Sequence, residues 1–153
     1  MEPAAEYVVR AATAADAAGA AACVDAAYRH YIDRNGLVPG PMRDDYAEVI
    51  AAHDVTVVEH GGVVVGVLVV MEAAEGFLLD NIAVLPSHQG EGLGRRLLEL
   101  AEVKARACGH HSVYLYTQEM MVENRALYER IGYVEYARRH ELGLDRVYLR
   151  KRL

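Results

Sequence analysis

The stretch Ala83–Arg96, AVLPSHQGEGLGRR, decides the fold of this 153-residue chain. It starts at the end of an apolar run, passes through Pro86 and three alternating glycines, and enters a helix-like pattern. Glycine removes the Cβ atom where a ligand must touch the backbone. The N–H groups of such a turn, with those of a helix N-terminus, form a positive concavity that suits phosphate. The stretch therefore predicts a pyrophosphate-binding turn between a buried strand and an amphipathic helix.

Two other phosphate-binding turns do not fit this stretch. Walker A requires Gly-Lys-Ser/Thr, which is absent, and the dinucleotide fingerprint requires GxGxxG with an acidic residue about 20 positions further on at a strand end. The next predicted strand, Ser112–Thr117, ends without such a residue. A different enzyme using this turn for another phosphate cofactor would need a sugar-binding acid or a metal carboxylate cluster, and neither is evident.

Hydrophobic periodicity and glycine or proline punctuation divide the rest of the chain into elements. Thr13 and Asp16 form a capping-box-like helix start, and Asn124 is expected to cap a short helix. The predicted order is β-α-α-β-β-β-α-β-α-β-β, which indicates a mixed sheet with helices on its faces in one domain, residues 1–153. The predicted strands are Tyr7–Arg10, Val55–Glu59, Val63–Met71, Gly76–Leu85, Ser112–Thr117, Tyr133–His140 and Arg146–Arg152. The predicted helices are Ala14–His30, Arg43–His53, Gly92–Cys108 and Asn124–Ile131, and Asn35–Pro41 is a predicted loop.

Composition excludes several classes of function. Sixteen basic and 22 acidic side chains give a formal charge of −6, which disfavours nucleic-acid binding. Cys23 and Cys108 lie far apart, and the histidines show no metal-ligand spacing, so we expect no metal site. The sequence shows no signal peptide and no membrane-spanning stretch. We expect a cytoplasmic protein.

Two motifs carry a resemblance to a known family. The glycine turn reads VxPxxQGxGxG, and the segment Asn124–Tyr133, NRALYERIGY, contains an LYxxxGF-like phrase with Tyr133 in place of Phe. The glycine turn resembles the acetyl-CoA signature of the Gcn5-related N-acetyltransferases, the GNAT family. The second segment resembles the NxxAxxxYxxxGF region of that family, except that its tyrosine, Tyr128, stands one position earlier than in the family pattern. The predicted element order also matches that family, so the resemblance covers nearly the whole chain.

The resemblance implies an α/β (α+β) fold with a mixed, mostly antiparallel sheet, a splayed central parallel pair and flanking helices. Coenzyme A would lie where Gly76–Leu85 and Ser112–Thr117 splay apart. The backbone of the first strand would pair with the pantetheine arm like an added strand, and one N–H would polarise the thioester carbonyl. The implied acetyl-CoA contacts are Ile82, Ala83, Val84, Gln89, Gly90, Glu91, Gly92, Leu93, Gly94, Arg95, Asn124 and Tyr128.

The resemblance also implies direct transfer of acetyl to an amine in a ternary complex, with Tyr128 and Asp80 as candidate catalytic residues. Tyr128 would protonate the departing thiolate, a transfer uphill by roughly 2 kcal/mol from reference pKa values. Asp80 shares a strand face with Ile82 and is a candidate base. Because an ordinary Asp has a pKa near ~3.9, burial must raise it or a water chain must carry the proton. A packed helix tyrosine and a loop-holding or ammonium-binding carboxylate are the structural alternatives.

The acceptor is expected to be a primary amine of a small molecule or peptide. Candidate acceptor contacts come from the helix-loop-helix before residue 53 and from the fifth strand, namely Tyr28, Tyr31, Arg43, Tyr46 and Tyr116. The negative charge suits a cationic amine, whereas Arg43 would suit a substrate carboxylate. The competing function is a non-catalytic acyl-CoA sensor on the same fold. A homodimer through the last strand is compatible with the sequence, although its basic residues blunt that edge.

Overall fold

Four helices and seven strands follow the predicted order in this computed structural model, which describes residues 6–36, 38 and 40–153. The strands are β1 (Tyr7–Ala11), β2 (Asp54–His60), β3 (Val63–Ala73), β4 (Gly76–Val84), β5 (Ser112–Gln118), β6 (Val134–Glu141) and β7 (Leu144–Arg152). The helices are α1 (Ala17–Asn35), α2 (Tyr46–Ala52), α3 (Leu93–Ala107) and α4 (Val122–Arg130). Short 3-10 turns cover Ala14–Asp16, Gly40–Arg43 and Pro86–His88.

The seven strands form a sheet in the order β1-β2-β3-β4-β5-β7-β6. The pairs β1–β2, β2–β3, β5–β7 and β6–β7 are antiparallel, and β4–β5 is parallel. The parallel ladder pairs Phe77 with Val113 and Leu78 with Tyr114, although β4 has nine residues and β5 seven. This arrangement confirms the predicted mixed, mostly antiparallel sheet with a parallel pair at its centre.

The last strand does not form an edge of the sheet. Strand β7 lies between β5 and β6 and pairs with both along its length. The expectation that two copies could join through this strand is therefore wrong, because its backbone groups already serve two neighbours. The edge strands are β1 and β6.

Local sequence explains the main elements. Gly61 and Gly62 join β2 to β3 with φ of 58° and 80°, the pair of positive angles that a two-residue type I′ hairpin requires. Strand β3 is buried over residues 65–70, as its continuous apolar run predicts. The predicted amphipathic helix is confirmed in α3. Of the apolar stripe that its sequence predicts, Cys108 is exposed, and the buried members are Leu93, Leu97, Leu98, Ala101 and Ala105.

Three helix predictions need correction. Helix α1 continues to Asn35, whereas the predicted helix ended at His30. Helix α2 starts at Tyr46 rather than Arg43, because the Asp45 side chain accepts the Ala47 N–H at 3.0 Å and caps the helix there. Helix α4 starts at Val122 after an N-cap at Met121, so Asn124 is its third residue and does not cap it. Of the predicted loop 35–41, positions 37 and 39 lie outside the described residues.

The start of the first helical segment is confirmed. The Asp16 carboxylate accepts the Thr13 N–H at 2.7 Å, which completes the predicted capping box, and it also accepts two hydrogen bonds from Arg10. This capping box belongs to the 3-10 turn Ala14–Asp16, and α1 continues from it to residue 35.

The chain divides into two compact units. The first contains Met1–Val70 and Asn81–Leu98, and the second contains Met71–Asp80 and Glu99–Leu153. In the second unit, Leu78, Tyr114 and Tyr148 form a buried cluster, and Arg139 lies 4.2 Å from the centroid of the Tyr148 ring. The single-domain organisation stays a prediction. None of the helices in the described part of the chain has the length and apolar character needed to cross a membrane.

Candidate active site

The glycine turn joins the end of β4 to the start of α3 within the first unit. Gly90 and Gly92 have φ of 87° and 79°, which L side chains rarely adopt. Apart from adjacent residues and, for Gly94, the backbone of its own helix, no described heavy atom lies within 4 Å of a Cβ built on Gly90, Gly92 or Gly94. The turn is therefore open above its glycines, as a cradle for a ligand requires, and is not filled by neighbouring side chains.

The first turn of α3 adds hydrogen-bond donors to this cradle. Helix α3 has 15 residues, and the first N–H with a partner in the preceding turn is that of Arg96, which donates to the Gly92 carbonyl at 3.1 Å. The earlier N–H groups of a helix have no intrahelical acceptor and attract anions. Leu93 is buried, so it can contribute to this site through its backbone alone, whereas Glu91 and Arg95 are exposed.

The three residues at the end of β4 that are expected to pair with pantetheine, Ile82, Ala83 and Val84, do not all point their backbone groups in the same direction. The Leu85 N–H donates to the Val65 carbonyl on β3 at 2.9 Å. Because a trans peptide points its C=O opposite to its N–H, the Val84 carbonyl points away from β3. It accepts the Gln89 side-chain amide at 3.1 Å, which agrees with that direction. By strand alternation, Ile82 also presents its backbone groups away from β3, and Ala83 presents them toward it.

Three aromatic side chains, Tyr7, His60 and His88, contact one another at the 3-10 turn Pro86–His88, which precedes the glycines. The Tyr7 hydroxyl and His88 Nδ1 lie 2.9 Å apart, and the Tyr7 ring stacks on His60 with centroids 4.5 Å apart. The two imidazole centroids are 5.0 Å apart. These contacts fix the 3-10 turn that leads into the glycines against β1 and the end of β2. Sequence reasoning missed this cluster, because nothing in the local pattern links positions 7, 60 and 88.

A buried polar network lies on the inner side of the acceptor segment, which we define as residues 40–46. The Tyr28 hydroxyl lies 2.9 Å from Asn81 Oδ1 and 2.8 Å from the Ile82 carbonyl. Asn81 Nδ2 donates to the Tyr46 hydroxyl at 3.0 Å, and that hydroxyl donates to the Pro41 carbonyl at 2.8 Å. Sequence reasoning singled out both tyrosines but missed Asn81, although a polar pair inside the apolar run of β4 was a usable signal.

The predicted acceptor contacts occupy different environments. Tyr28, Tyr31 and Tyr46 are buried, so their side chains lie in the protein interior in this structure. Arg43 is exposed at the end of the 3-10 turn Gly40–Arg43. Tyr116, in the second unit, is half-buried beneath the Arg146 guanidinium, whose carbon is 4.6 Å from the ring centroid. Their role as acceptor contacts stays a prediction.

The candidate catalytic residues belong to the second unit. Tyr128 is buried on α4, and its ring meets that of Tyr133 edge-on with centroids 5.9 Å apart. Burial raises the pKa of Tyr133, and the charges of Glu102 and Tyr128 add to that rise. Asn124 and Asp80 are half-buried. These residues keep their proposed roles as predictions.

Comparison with known proteins decides the family. A family model described as an acetyltransferase (GNAT) domain matches residues 51–135. YjgM of Escherichia coli (strain K12), an uncharacterized N-acetyltransferase, is 32% identical over 122 residues, which are 74% of this chain and 73% of that protein. This chain belongs to the GNAT family. The region matched by the family model contains the glycine turn and the whole Asn124–Tyr133 motif, the two features that carried the resemblance.

Other GNAT relatives extend the comparison. MnaT of E. coli (strain K12), an L-amino acid N-acyltransferase, is 31% identical over 102 residues, 63% of this chain and 59% of that protein. The protein YncA of Salmonella typhimurium, solved with its cofactor acetyl-CoA, has the same fold with a TM-score of 0.71. That likeness covers 97% of this chain and 94% of the other at 23% identity.

Proposed function

We propose that this GNAT protein transfers the acetyl group of acetyl-CoA to a primary amine of a small molecule or peptide. The observation that carries the proposal is the open glycine cradle, where Gly90 and Gly92 hold positive φ and no described atom lies within 4 Å of their Cβ positions. Glycines with equal space occur in the β2–β3 hairpin and after α3, so what distinguishes this turn is its place directly before the N-terminus of α3, whose N–H groups attract anions. The relative MnaT is named an L-amino acid N-acyltransferase, and YncA was solved with its cofactor acetyl-CoA.

The chain's own residues divide the binding task. The N–H groups at the glycine turn and at the start of α3 would hold the pyrophosphate, and exposed Arg95 would add positive charge. Ile82 and Val84, whose backbone groups point away from β3, would pair with the pantetheine amides in the manner of an added strand. Gln89, which already binds the Val84 carbonyl, would fix the bend between these two parts.

Proton transfer would be handled by Tyr128 and Asp80. Acetyl-CoA supplies an acetyl thioester, which is an activated acyl donor. The acceptor amine must be neutral before it attacks, and Asp80, directly or through water, would take its proton. The Tyr128 hydroxyl would hold its proton toward the thiol sulfur and give it up as the carbon–sulfur bond breaks. The half-buried Asn124, one turn before Tyr128 on α4, would orient the bound chain.

The acceptor class is proposed to include L-amino acids. MnaT, at 31% identity, is named for acylating them. Arg43 is exposed in the acceptor segment, three residues before the buried Tyr46, and would pair with the acceptor's carboxylate. A cationic amine without a carboxylate is the competing acceptor, since the chain's formal charge is −6.

The first test is calorimetric titration with acetyl-CoA, followed by an assay of free thiol release over a panel of L-amino acids and polyamines. We expect acetyl-CoA to bind and one amine class to release thiol. Binding without release for every amine would favour the sensor function, and absence of binding would refute the proposal.

The proposed acid is tested with a hydroxyl deletion. Tyr128→Phe should lower turnover by about 10²-fold, as removal of a general acid does, with little change in acetyl-CoA affinity. Tyr136→Phe removes a hydroxyl from an exposed tyrosine on β6 and serves as the matched control, with turnover expected to be unchanged. Equal turnover in both variants would remove Tyr128 as the acid.

A further inference from the structure

The buried network around Asn81 contains one proton too few for its hydrogen bonds. The Tyr28 hydroxyl lies within hydrogen-bonding distance of two acceptors, Asn81 Oδ1 and the Ile82 carbonyl, and a phenol has a single proton. If the Asn81 amide is turned over, its NH₂ serves Tyr28, and the proton of Tyr46 must then serve both Asn81 and the Pro41 carbonyl. The count is the same in either orientation, so two acceptors always compete for one proton.

This competition connects two parts of the proposed site. The Ile82 carbonyl belongs to the strand edge that points away from β3, where the proposed function places the pantetheine arm. The Pro41 carbonyl belongs to the acceptor segment. Asn81 lies between the tyrosines that contact these two carbonyls, and its side chain is buried. Whatever changes the demand for the Tyr28 proton at Ile82 therefore changes the hydrogen bond that Asn81 Oδ1 receives, and the Asn81 amide also donates to Tyr46, which holds the acceptor segment.

We propose that Asn81 is a positioning residue that couples binding at the Ile82 carbonyl to the ordering of the acceptor segment. This inference rests on the proposed function, because it takes the coenzyme edge of β4 to be the place where a ligand N–H arrives. An oxygen that accepts a hydrogen bond from a ligand N–H is a poorer acceptor for a second donor. The Tyr28 hydroxyl then donates its hydrogen bond to Asn81 Oδ1 and no longer to the Ile82 carbonyl.

This change affects the next two hydrogen bonds, because Tyr28, Asn81 and Tyr46 each donate to the following member of the network. When Tyr28 donates to Oδ1, the amide is polarised and Nδ2 becomes a stronger donor to the Tyr46 hydroxyl. That hydroxyl in turn donates more strongly to the Pro41 carbonyl, which fixes the 3-10 turn before α2. By linkage, a well-ordered acceptor segment must favour coenzyme binding by the same factor.

Asn81→Leu severs this chain without leaving an orphan group. Leucine is close to asparagine in size, and each phenol keeps a carbonyl acceptor, Ile82 for Tyr28 and Pro41 for Tyr46, both at 2.8 Å. The variant should therefore fold. If Asn81→Leu does not fold, Tyr46→Phe takes its place in the test. This variant removes the hydroxyl that links Asn81 to the Pro41 carbonyl, and its expected result is the same. Tyr133→Phe deletes a buried hydroxyl of the second unit that has no hydrogen-bond partner among the described residues, and it serves as the control.

The experiment measures amide hydrogen exchange of residues 40–52, which comprise the acceptor segment and α2, with and without coenzyme A. Calorimetric titration measures the affinity for coenzyme A. In the natural protein and in Tyr133→Phe we expect coenzyme A to slow exchange of this segment by at least about threefold. In Asn81→Leu the affinity should stay within about threefold, and the slowing should vanish. A residue with a merely structural role would change exchange equally with and without coenzyme A.

The outcomes separate this inference from the proposed function. Coenzyme A binding without slower exchange of residues 40–52 overturns the coupling and leaves the proposed function standing. Slowing that persists in Asn81→Leu overturns the role of Asn81. Failure of coenzyme A to bind the natural protein overturns the proposed function, and the inference falls with it.

Discussion

Gly94→Ala should make the protein more stable and, at the same time, weaken its binding of acetyl-CoA. Gly94 is the second residue of α3, and unlike Gly90 and Gly92 it is not among the glycines with positive φ. Alanine therefore brings no backbone strain, and its better helix propensity should add up to about 1 kcal/mol to the free energy of unfolding. For a chain of this size, that corresponds to a rise in Tm of roughly 2–4 °C.

The loss of affinity has a different cause. Cβ atoms of a helix tilt toward its N-terminus, so the new methyl group would enter the open space above the turn where phosphate must approach the backbone. Apart from adjacent residues and the backbone of α3 itself, no described atom lies within 4 Å of that Cβ, so the methyl group would displace ligand and not protein. We expect the Kd for acetyl-CoA to rise at least about tenfold, which is about 1.4 kcal/mol of binding free energy.

Two further alanine variants separate strain from ligand contact. Gly92 and Gly109 have φ of 79° and 83° and open space at the Cβ position, and they flank opposite ends of α3. A left-handed alanine at either position should cost about 1–2 kcal/mol of stability. Gly92→Ala should also weaken acetyl-CoA binding, whereas Gly109→Ala, the matched control, should leave it unchanged.

The assay is thermal unfolding without ligand, combined with calorimetric titration of acetyl-CoA on each variant well below its Tm. Opposite signs of the two effects in Gly94→Ala cannot come from general loosening of the protein. If Gly94→Ala and Gly92→Ala both bind acetyl-CoA as the natural protein does, the glycine cradle is a purely structural turn and the reasoning is refuted.

Three other predictions concern stability and reactivity. Hydrogen bonds from Arg10 hold the pKa of the Asp16 carboxyl well below its usual range, so its stabilising effect is present above the unfolded pKa of about 3.9 and is lost as the pH falls through the folded pKa. The urea midpoint of Asp16→Asn should be lower than that of the natural protein at pH 7, and the gap should narrow below about pH 4. Burial raises the pKa of the Cys23 thiol to about 12, so a thiol reagent at pH 8 should titrate the exposed Cys108 and leave Cys23 unreacted until urea is added. Tyr133→Phe removes a buried hydroxyl that has no hydrogen-bond partner among the described residues. The free energy of unfolding should stay equal or rise by up to about 1 kcal/mol, which thermal unfolding would show as an equal or higher Tm.

Local chemistry explains why the element order was predictable from the sequence. Glycines at positions 61 and 62 can form the β2–β3 hairpin because they accept positive φ, and Gly109 ends α3 for the same reason. The position of β7 was not predictable in this way. Its place between β5 and β6 depends on pairings such as Val113 with Lys151, and no local pattern encodes which strands meet across that separation.

The candidate site shows the same division between local and long-range information. The glycine cradle could be predicted because its function depends on a local backbone conformation that one residue type adopts freely. The Asn81 network could not, since its hydrogen bonds join residues 53 and 35 positions apart along the chain. The ten tyrosines of the sequence were equally eligible for an open pocket or for the interior. A tyrosine can be buried when its hydroxyl finds a partner, and the tertiary fold alone brings Asn81 and two backbone carbonyls to Tyr28 and Tyr46. Residue type and spacing alone could therefore not distinguish this buried, hydrogen-bonded environment from a position open to the acceptor.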